Sequence, residues 1–342
     1  MALHRLTSVT MGVPNVEETS AYYAEFGLRP GDTQPGEPQP GGAPSAGTQP
    51  GAPSSGAPSS GAPSSGTEVW FGTRDGGRQL RIVPAATRRL VDLHVGVDDH
   101  DDLDRAADNL QRLGIEVQRG PDWISAVEKA TGTKAYLEIA GRLQQDTVPP
   151  TPYNGPGRVE RPATRAPGIQ RAEPVQPRKL GHAVLGSTGA EATQAFFVQG
   201  LGFKISDHIK GAGTFMRCST DHHNVLVLQA PVSFLHHTSW QVDDVDDVGR
   251  GATAMLTDHP ERHVWGLGRH YAGSNFFWYL KDPAGNFSEY YSDMDCIVDD
   301  QLWTPQDLEG AQGLFSWGPP PPPSFLHPED LAAMMTGAHS GG

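Results

Sequence analysis

Four stretches of the chain show the same succession: an alternating apolar run, a helical segment with one apolar side, then further short strands. In the first, Leu6, Val9, Met11 and Val13 mark a strand. The helix that follows opens at Pro14 and carries Ala21, Tyr22, Tyr23 and Phe26 before Gly27-Leu28 closes it, and strands resume over 68–71 and 80–83. The second has a strand over 90–97, an acidic cap at 98–102, a helix over 103–113 and strands over 114–117 and 134–139. The third has a strand over 180–185, a helix over 188–199, and strands over 200–206, 214–218 and 224–228. The fourth has a strand over 234–242, a helix from 243 to about 256, and a strand over 263–265. It ends in a hairpin, with strands 276–280 and 287–291 around the turn Asp282-Pro-Ala-Gly-Asn286.

Local matches support true repetition. Gly27-Leu28 returns as Gly200-Leu-Gly-Phe203, and Leu93-His-Val-Gly-Val-Asp-Asp99 returns as Thr238-Ser-Trp-Gln-Val-Asp-Asp244. Units that each bury one face against a neighbour make the repeat the fold. The pattern predicts the α+β class, with four βαβββ units in two domains over 1–143 and 179–300. Residues 30–66, with their Gly-Ala-Pro-Ser-Ser repeats, interrupt the first domain as a disordered low-complexity insertion, because nothing there can bury apolar area. Residues 144–178, rich in Pro, Gly and Arg, are expected to be a linker. Residues 301–342 form an extension whose Trp317-Gly-Pro-Pro-Pro-Pro-Pro-Ser324 run reads as polyproline II packed on the surface.

Composition narrows the function. The net charge is −14 with no Lys/Arg-rich run, which argues against nucleic acid and anionic membranes as partners. No apolar run approaches the ~18 residues of a membrane span, and the start lacks the apolar core of a signal peptide. The two cysteines, Cys218 and Cys296, make no disulfide framework, so a reduced cytoplasmic setting is expected.

Nine of the fourteen histidines fall between His182 and His270, so that segment is a site or the clustering is chance. His182 lies on the first strand of the third unit, His237 on the first strand of the fourth, and Glu289 on the last strand of the fourth. Phe287, Glu289 and Tyr291 share one side of their strand. If that side faces solvent, Glu289 needs no partner; if it faces the interior, a carboxylate among aromatics needs a cation, hydrogen bonds or a metal. Paired units bring equivalent strands together, so the three can converge. Two imidazoles and one carboxylate with open positions are the facial set of non-haem Fe(II) oxygenases.

The stretches Leu180-Gly-His-Ala-Val184, Leu235-His-His-Thr-Ser-Trp-Gln-Val242, Gly268-Arg-His270, and Tyr279 through Asp282-Pro-Ala-Gly-Asn286 to Glu289 resemble the type I extradiol catechol dioxygenases of the vicinal oxygen chelate superfamily. The motif-level match is confined to the second half. The resemblance implies that His182, His237 and Glu289 hold Fe(II), or Mn(II), with His237 rather than His236 as the ligand of that pair. It implies an acid–base role for His223 near dioxygen, and contacts of His270 and Tyr279 with the catechol oxygens. His208, His222, His259 and His263 are expected to be structural. Asp92 stands where His237 does in the other half, and no His–His–Glu set can be built there. A catechol-type substrate, O₂ and a homo-oligomer are the implied partners. The strand over 224–229 carries no further ligand beyond His223, which favours ring cleavage over a closed metal site. The alternatives on the same scaffold are a metal-dependent epimerase, glyoxalase or thiol transferase, and a non-catalytic protein that binds an aromatic ligand.

Overall fold

Two mixed sheets carry the four units. The computed structural model describes residues 3–31, 68–148, 163 and 165–340, so most of the expected insertion and part of the expected linker lie outside the described residues. The first unit is β1 (Arg5–Val13), α1 (Val16–Glu25), β2 (Arg29–Pro30), β3 (Val69–Thr73) and β4 (Gly77–Pro84). The second is β5 (Arg89–Val97), α2 (His100–Arg112), β6 (Gln118–Arg119), β7 (Trp123–Val127) and β8 (Lys134–Ile139). A short helix, α3 (Pro167–Gln170), precedes the second half. The third unit is β9 (Lys179–Ser187), α4 (Ala190–Ala195), β10 (Lys204–Ile209), β11 (Gly213–Arg217) and β12 (Val225–Gln229). The fourth is β13 (Phe234–Gln241), α5 (Val245–Leu256), β14 (His263–Arg269), β15 (Phe276–Lys281) and β16 (Phe287–Ser292). β17 (Asp307–Leu308), α6 (Pro323–Leu326) and α7 (Leu331–Ser340) follow.

The first sheet runs β2-β3-β4-β1-β5-β8-β7-β6, the second β14-β15-β16-β13-β9-β12-β11-β10-β17. In every unit the first strand is parallel to the last: β1 to β4, β5 to β8, β9 to β12 and β13 to β16. The first strands of paired units are antiparallel, β1 with β5 and β9 with β13. The repeated sequences have repeated jobs. Asp99 and Asp244, the last residues of the two Val-Asp-Asp motifs, cap α2 and α5 by accepting from the amides of Asp102 and Asp247. Gly27 and Gly202 both take a left-handed φ, +93° and +91°, to turn the chain out of a helix.

Three local readings are corrected. Pro30 belongs to β2, paired with Phe71, so the first unit continues into the stretch assigned to the insertion. Residues 114–117 form no strand, because Gly114 ends α2 with φ +70° and the chain then loops back to β6. β7 shows no alternation to announce it, since Ile124, Ser125 and Ala126 are all buried. The helix of the third unit also runs on to Leu201 as a π-helical turn over Phe196–Leu201. Among the described residues no helix is long and apolar enough to cross a membrane.

One apolar core passes through both halves. The Phe26 ring of α1 stacks on Tyr290 of β16 at 3.8 Å, and Tyr290 donates a hydrogen bond to the Phe26 carbonyl at 2.7 Å. In the first half a partly buried ion-pair network lies on one face of the sheet. His94 lies 3.5 Å from Asp92 and 3.0 Å from Glu138, and Thr7 donates to Glu138 at 2.5 Å. Burial alone lowers the His94 pKa, but its hydrogen bonds to Asp92 and Glu138 outweigh burial and raise it to about 9. A raised imidazole pKa gives stability that is complete below about 6.5 and lost as pH rises through about 9. Parent protein in chemical denaturation should therefore weaken between pH 6.5 and 10. His94→Gln should be less stable by about 1–3 kcal/mol at pH 7 and should lack that alkaline step.

Candidate metal centre

Strand register builds the centre. Ser239 of β13 lies opposite His182 of β9 on one side and opposite Glu289 of β16 on the other, and Tyr279 of β15 lies opposite Glu289. His182, Ser239, Glu289 and Tyr279 thus form one row across four strands. His237, two residues before Ser239, shares its face. The row brings His182 Nε2 to 3.0 Å from Glu289 Oε2 and 3.3 Å from His237 Nε2, with 3.7 Å between His237 Nε2 and Glu289 Oε2. All three residues are buried, Glu289 completely.

This donor set fits a divalent metal. Ligand atoms about 2.1 Å from a metal and at right angles stand about 3 Å apart, and the three donor atoms here stand 3.0, 3.3 and 3.7 Å apart. Glu289 Oε2 is buried and, although close to both imidazoles, has no hydrogen bond aligned on it. The other oxygen, Oε1, accepts from Asn275 Nδ2 at 3.2 Å. Burial by itself raises the Glu289 pKa; His182 and then His270 outweigh it and hold the carboxyl well below the usual carboxylate range. Asn275 was not legible as a site residue, since a loop Asn carries no motif. It reaches Glu289 through the turn at Gly273 and Ser274, both at positive φ.

The His236-His237 pair resolves in an unexpected way: both imidazoles face inward. The register of β13 against β9 slips between Leu235 and His237, and such a bulge breaks the alternation. His236 Nε2 donates to the Phe325 carbonyl at 2.7 Å, so Nδ1 of neutral His236 is left to accept. His237 Nδ1 lies 2.7 Å from it and donates, leaving His237 Nε2 as a bare lone pair in the centre. Burial lowers His236 to about 4, so it stays neutral; burial and then neighbouring His236 hold His237 well below the ordinary imidazole value.

The three further residues lie beside the triad. The His223 ring is 4.2 Å from that of His182, and burial, followed by the influence of His182, depresses its pKa strongly. His270 donates from Nδ1 to the Leu314 carbonyl, and its Nε2 accepts from the Tyr279 hydroxyl at 2.9 Å. Burial, then Glu289, pushes the Tyr279 hydroxyl well up, so it keeps its proton. His259 and His263 serve local contacts with Glu261 and Trp278, and His208 with Thr214. His222, also expected to be structural, is buried with its Nδ1 3.0 Å from Nδ1 of His223. The segment after residue 300 roofs the centre: the Phe325 ring is 4.8 Å from His236 and 4.7 Å from Tyr279. A 420 Å³ cavity lined by Arg5, Lys179 and Asp221 includes none of the three ligands, so donor geometry rather than cavity size locates the site.

In the first sheet, the corresponding register positions hold Ser8, Asp92 and Tyr136 in place of His182, His237 and Glu289. His94 stands at the position of Ser239 and is paired with Asp92 and Glu138.

Residues 179–290 match the Glyoxalase/Bleomycin resistance protein/Dioxygenase superfamily. These residues form a domain of that superfamily. Metapyrocatechase 2 of Cupriavidus necator is 32% identical over 197 residues, which cover 57% of this chain and 60% of that protein. A manganese-dependent 2,3-dihydroxybiphenyl 1,2-dioxygenase of Geobacillus genomosp. 3 is 27% identical over 241 residues, 64% of this chain and 72% of that protein. The fold of the Mn(II)-bound glyoxalase from Novosphingobium aromaticivorans superposes with a TM-score of 0.65 at 22% identity, covering 94% of this chain and 95% of that one. The superfamily domain contains His182, His237 and Glu289 as well as His223, His270 and Tyr279.

His237→Ala should abolish tight metal binding, whereas His236→Ala should weaken it about 10- to 100-fold by freeing the His237 ring. Metal titration of the two purified variants measures this. Equal affinity in parent and His236→Ala would remove the supporting role of the Phe325–His236 hydrogen bond.

Proposed function

We propose that this chain is an extradiol ring-cleaving dioxygenase, an oxidoreductase that inserts O₂ into a catechol-type aromatic diol at a non-haem metal held by His182, His237 and Glu289. The observation that carries the reading is a three-ligand set with no fourth protein ligand offered from β12, whose residues are Val-Leu-Val-Leu-Gln. That leaves room for both hydroxyls of a diol and for O₂. The similarity to metapyrocatechase 2 and to the dihydroxybiphenyl dioxygenase supports the substrate class.

Fe(II) is the first choice and Mn(II) the second, since both suit an imidazole and carboxylate set. When bound, such an ion supplies Lewis acidity toward the diol and a one-electron path to O₂. The protein residues do the rest. The His270–Tyr279 pair lies beside the three ligands and faces the substrate oxygens, with the Leu314 carbonyl fixing the orientation of His270 and the Tyr279 hydroxyl held on its Nε2. His223, neutral through burial, can take and return a proton at Nε2. Trp265, Phe277, Phe315 and Phe325 form an aromatic wall that excludes water and suits a flat ring. The first half, with His94 paired with Asp92 and Glu138, acts as scaffold. The cysteines, Cys218 buried and Cys296 exposed, are unpaired, in keeping with work in the cytoplasm.

The test is anaerobic loading with Fe(II) or Mn(II), then addition of O₂ with catechol, 3-methylcatechol or 2,3-dihydroxybiphenyl. One O₂ consumed per diol, with a yellow ring-opened product, is the expected result. Oxygen uptake without ring opening, or none with either metal, would refute the reading.

A further inference from the structure

Two pairs of adjacent histidines flank the centre, and each is joined Nδ1 to Nδ1. At 236–237 the outer imidazole ends on the Phe325 carbonyl. At 222–223 it ends on a carboxylate: His222 Nε2 is 2.9 Å from Asp207 Oδ2, and His222 Nδ1 is 3.0 Å from His223 Nδ1. The other carboxylate oxygen, Oδ1, accepts from the Gln306 amide at 2.8 Å, so Asp207 is held at both oxygens. His222 has no exposed surface, and the rings of Trp303 and Phe215 stand edge-on to it at 5.3 and 5.7 Å. Asp207 itself is aimed inward by an irregularity in β10, where the register slips between Ile205 and Asp207.

An ionised carboxylate only accepts, so the proton of His222 sits on Nε2 and its Nδ1 accepts from His223. His223 then carries its proton on Nδ1, and its Nε2 makes no hydrogen bond to any described residue. The geometry points to Asp207 and His222 as positioning residues that fix the ring orientation and proton placement of His223, with Nε2 free for the oxygen chemistry. The assignment rests on the dioxygenase reading and extends it. A buried polar chain of this kind adds little to stability compared with apolar residues of the same size, so stability alone does not account for it.

Steady-state kinetics of the Fe(II)-loaded parent and variants with catechol, alongside iron content, test the assignment. His222→Phe and Asp207→Ala should each lower kcat about 10- to 100-fold while leaving KM within about twofold and iron content at the parental level. Asp207→Asn keeps one accepting oxygen for two donors, His222 and the Gln306 amide, so its kcat should lie between those of Asp207→Ala and the parent. The double variant His222→Phe/Asp207→Ala should be no slower than His222→Phe alone, because Asp207 acts through His222. Parental kcat in Asp207→Ala, equal kcat in Asp207→Ala and Asp207→Asn, or additive losses in the double variant would overturn the assignment. Should His222→Phe fail to fold, the Asp207→Ala and Asp207→Asn pair alone decides. A parent that opens no catechol ring overturns instead the dioxygenase reading on which the role rests.

Discussion

A carboxylate with no exposed surface, set among aromatic rings, is the constraint on which the second half of this protein depends. Glu289 cannot be left alone there, and neither of the neighbouring imidazoles has a hydrogen bond aligned on its Oε2. The strands answer with a row of residues in register, His182, Ser239, Glu289 and Tyr279, that places two imidazole nitrogens within 3.0 and 3.7 Å of that oxygen. Ser239, the small residue in the middle of the row, leaves the space in which the three donor atoms meet. The same position in the first half is occupied by His94, whose imidazole is paired with Asp92 and Glu138.

Duplication explains why one half can carry chemistry and the other scaffold. All four units share the parallel first-to-last strand pairing, so their backbones place corresponding residues alike. What differs is the side chains in the row. His94 is paired with the carboxylates of Asp92 and Glu138 in the first sheet, whereas His182, His237 and Glu289 carry an uncompensated lone-pair cluster inside the second. A metal is the natural partner for the second arrangement and has no place in the first.

Irregularities in the strands matter as much as the regular ladder. Register slips at Leu235/His237 and at Ile205/Asp207 turn side chains inward that strict alternation would send apart. Each slip serves a histidine pair. One pair orients His237 through a backbone carbonyl from the chain's last segment; the other leads from His223 to a carboxylate on β10. The last segment therefore touches both, through Phe325 and through the Gln306 amide.

The sequence by itself determined the four βαβββ units, the acidic helix caps, the turn at 282–286, and the candidates His182, His237, Glu289, His223, His270 and Tyr279. These are legible because alternation, capping residues and glycine turns are local, and because histidines stand out against an apolar strand. Only the tertiary structure decided that Glu289 faces inward and that His236 is buried beside His237. It also brought Asn275, His222 and Phe325 into contact with the candidate residues, with Asp207 behind His222. Those facts depend on strand register, on two bulges and on a distant segment folding back over the sheet. Each is set by contacts between residues far apart in the chain, for which a period of two or 3.6 carries no information.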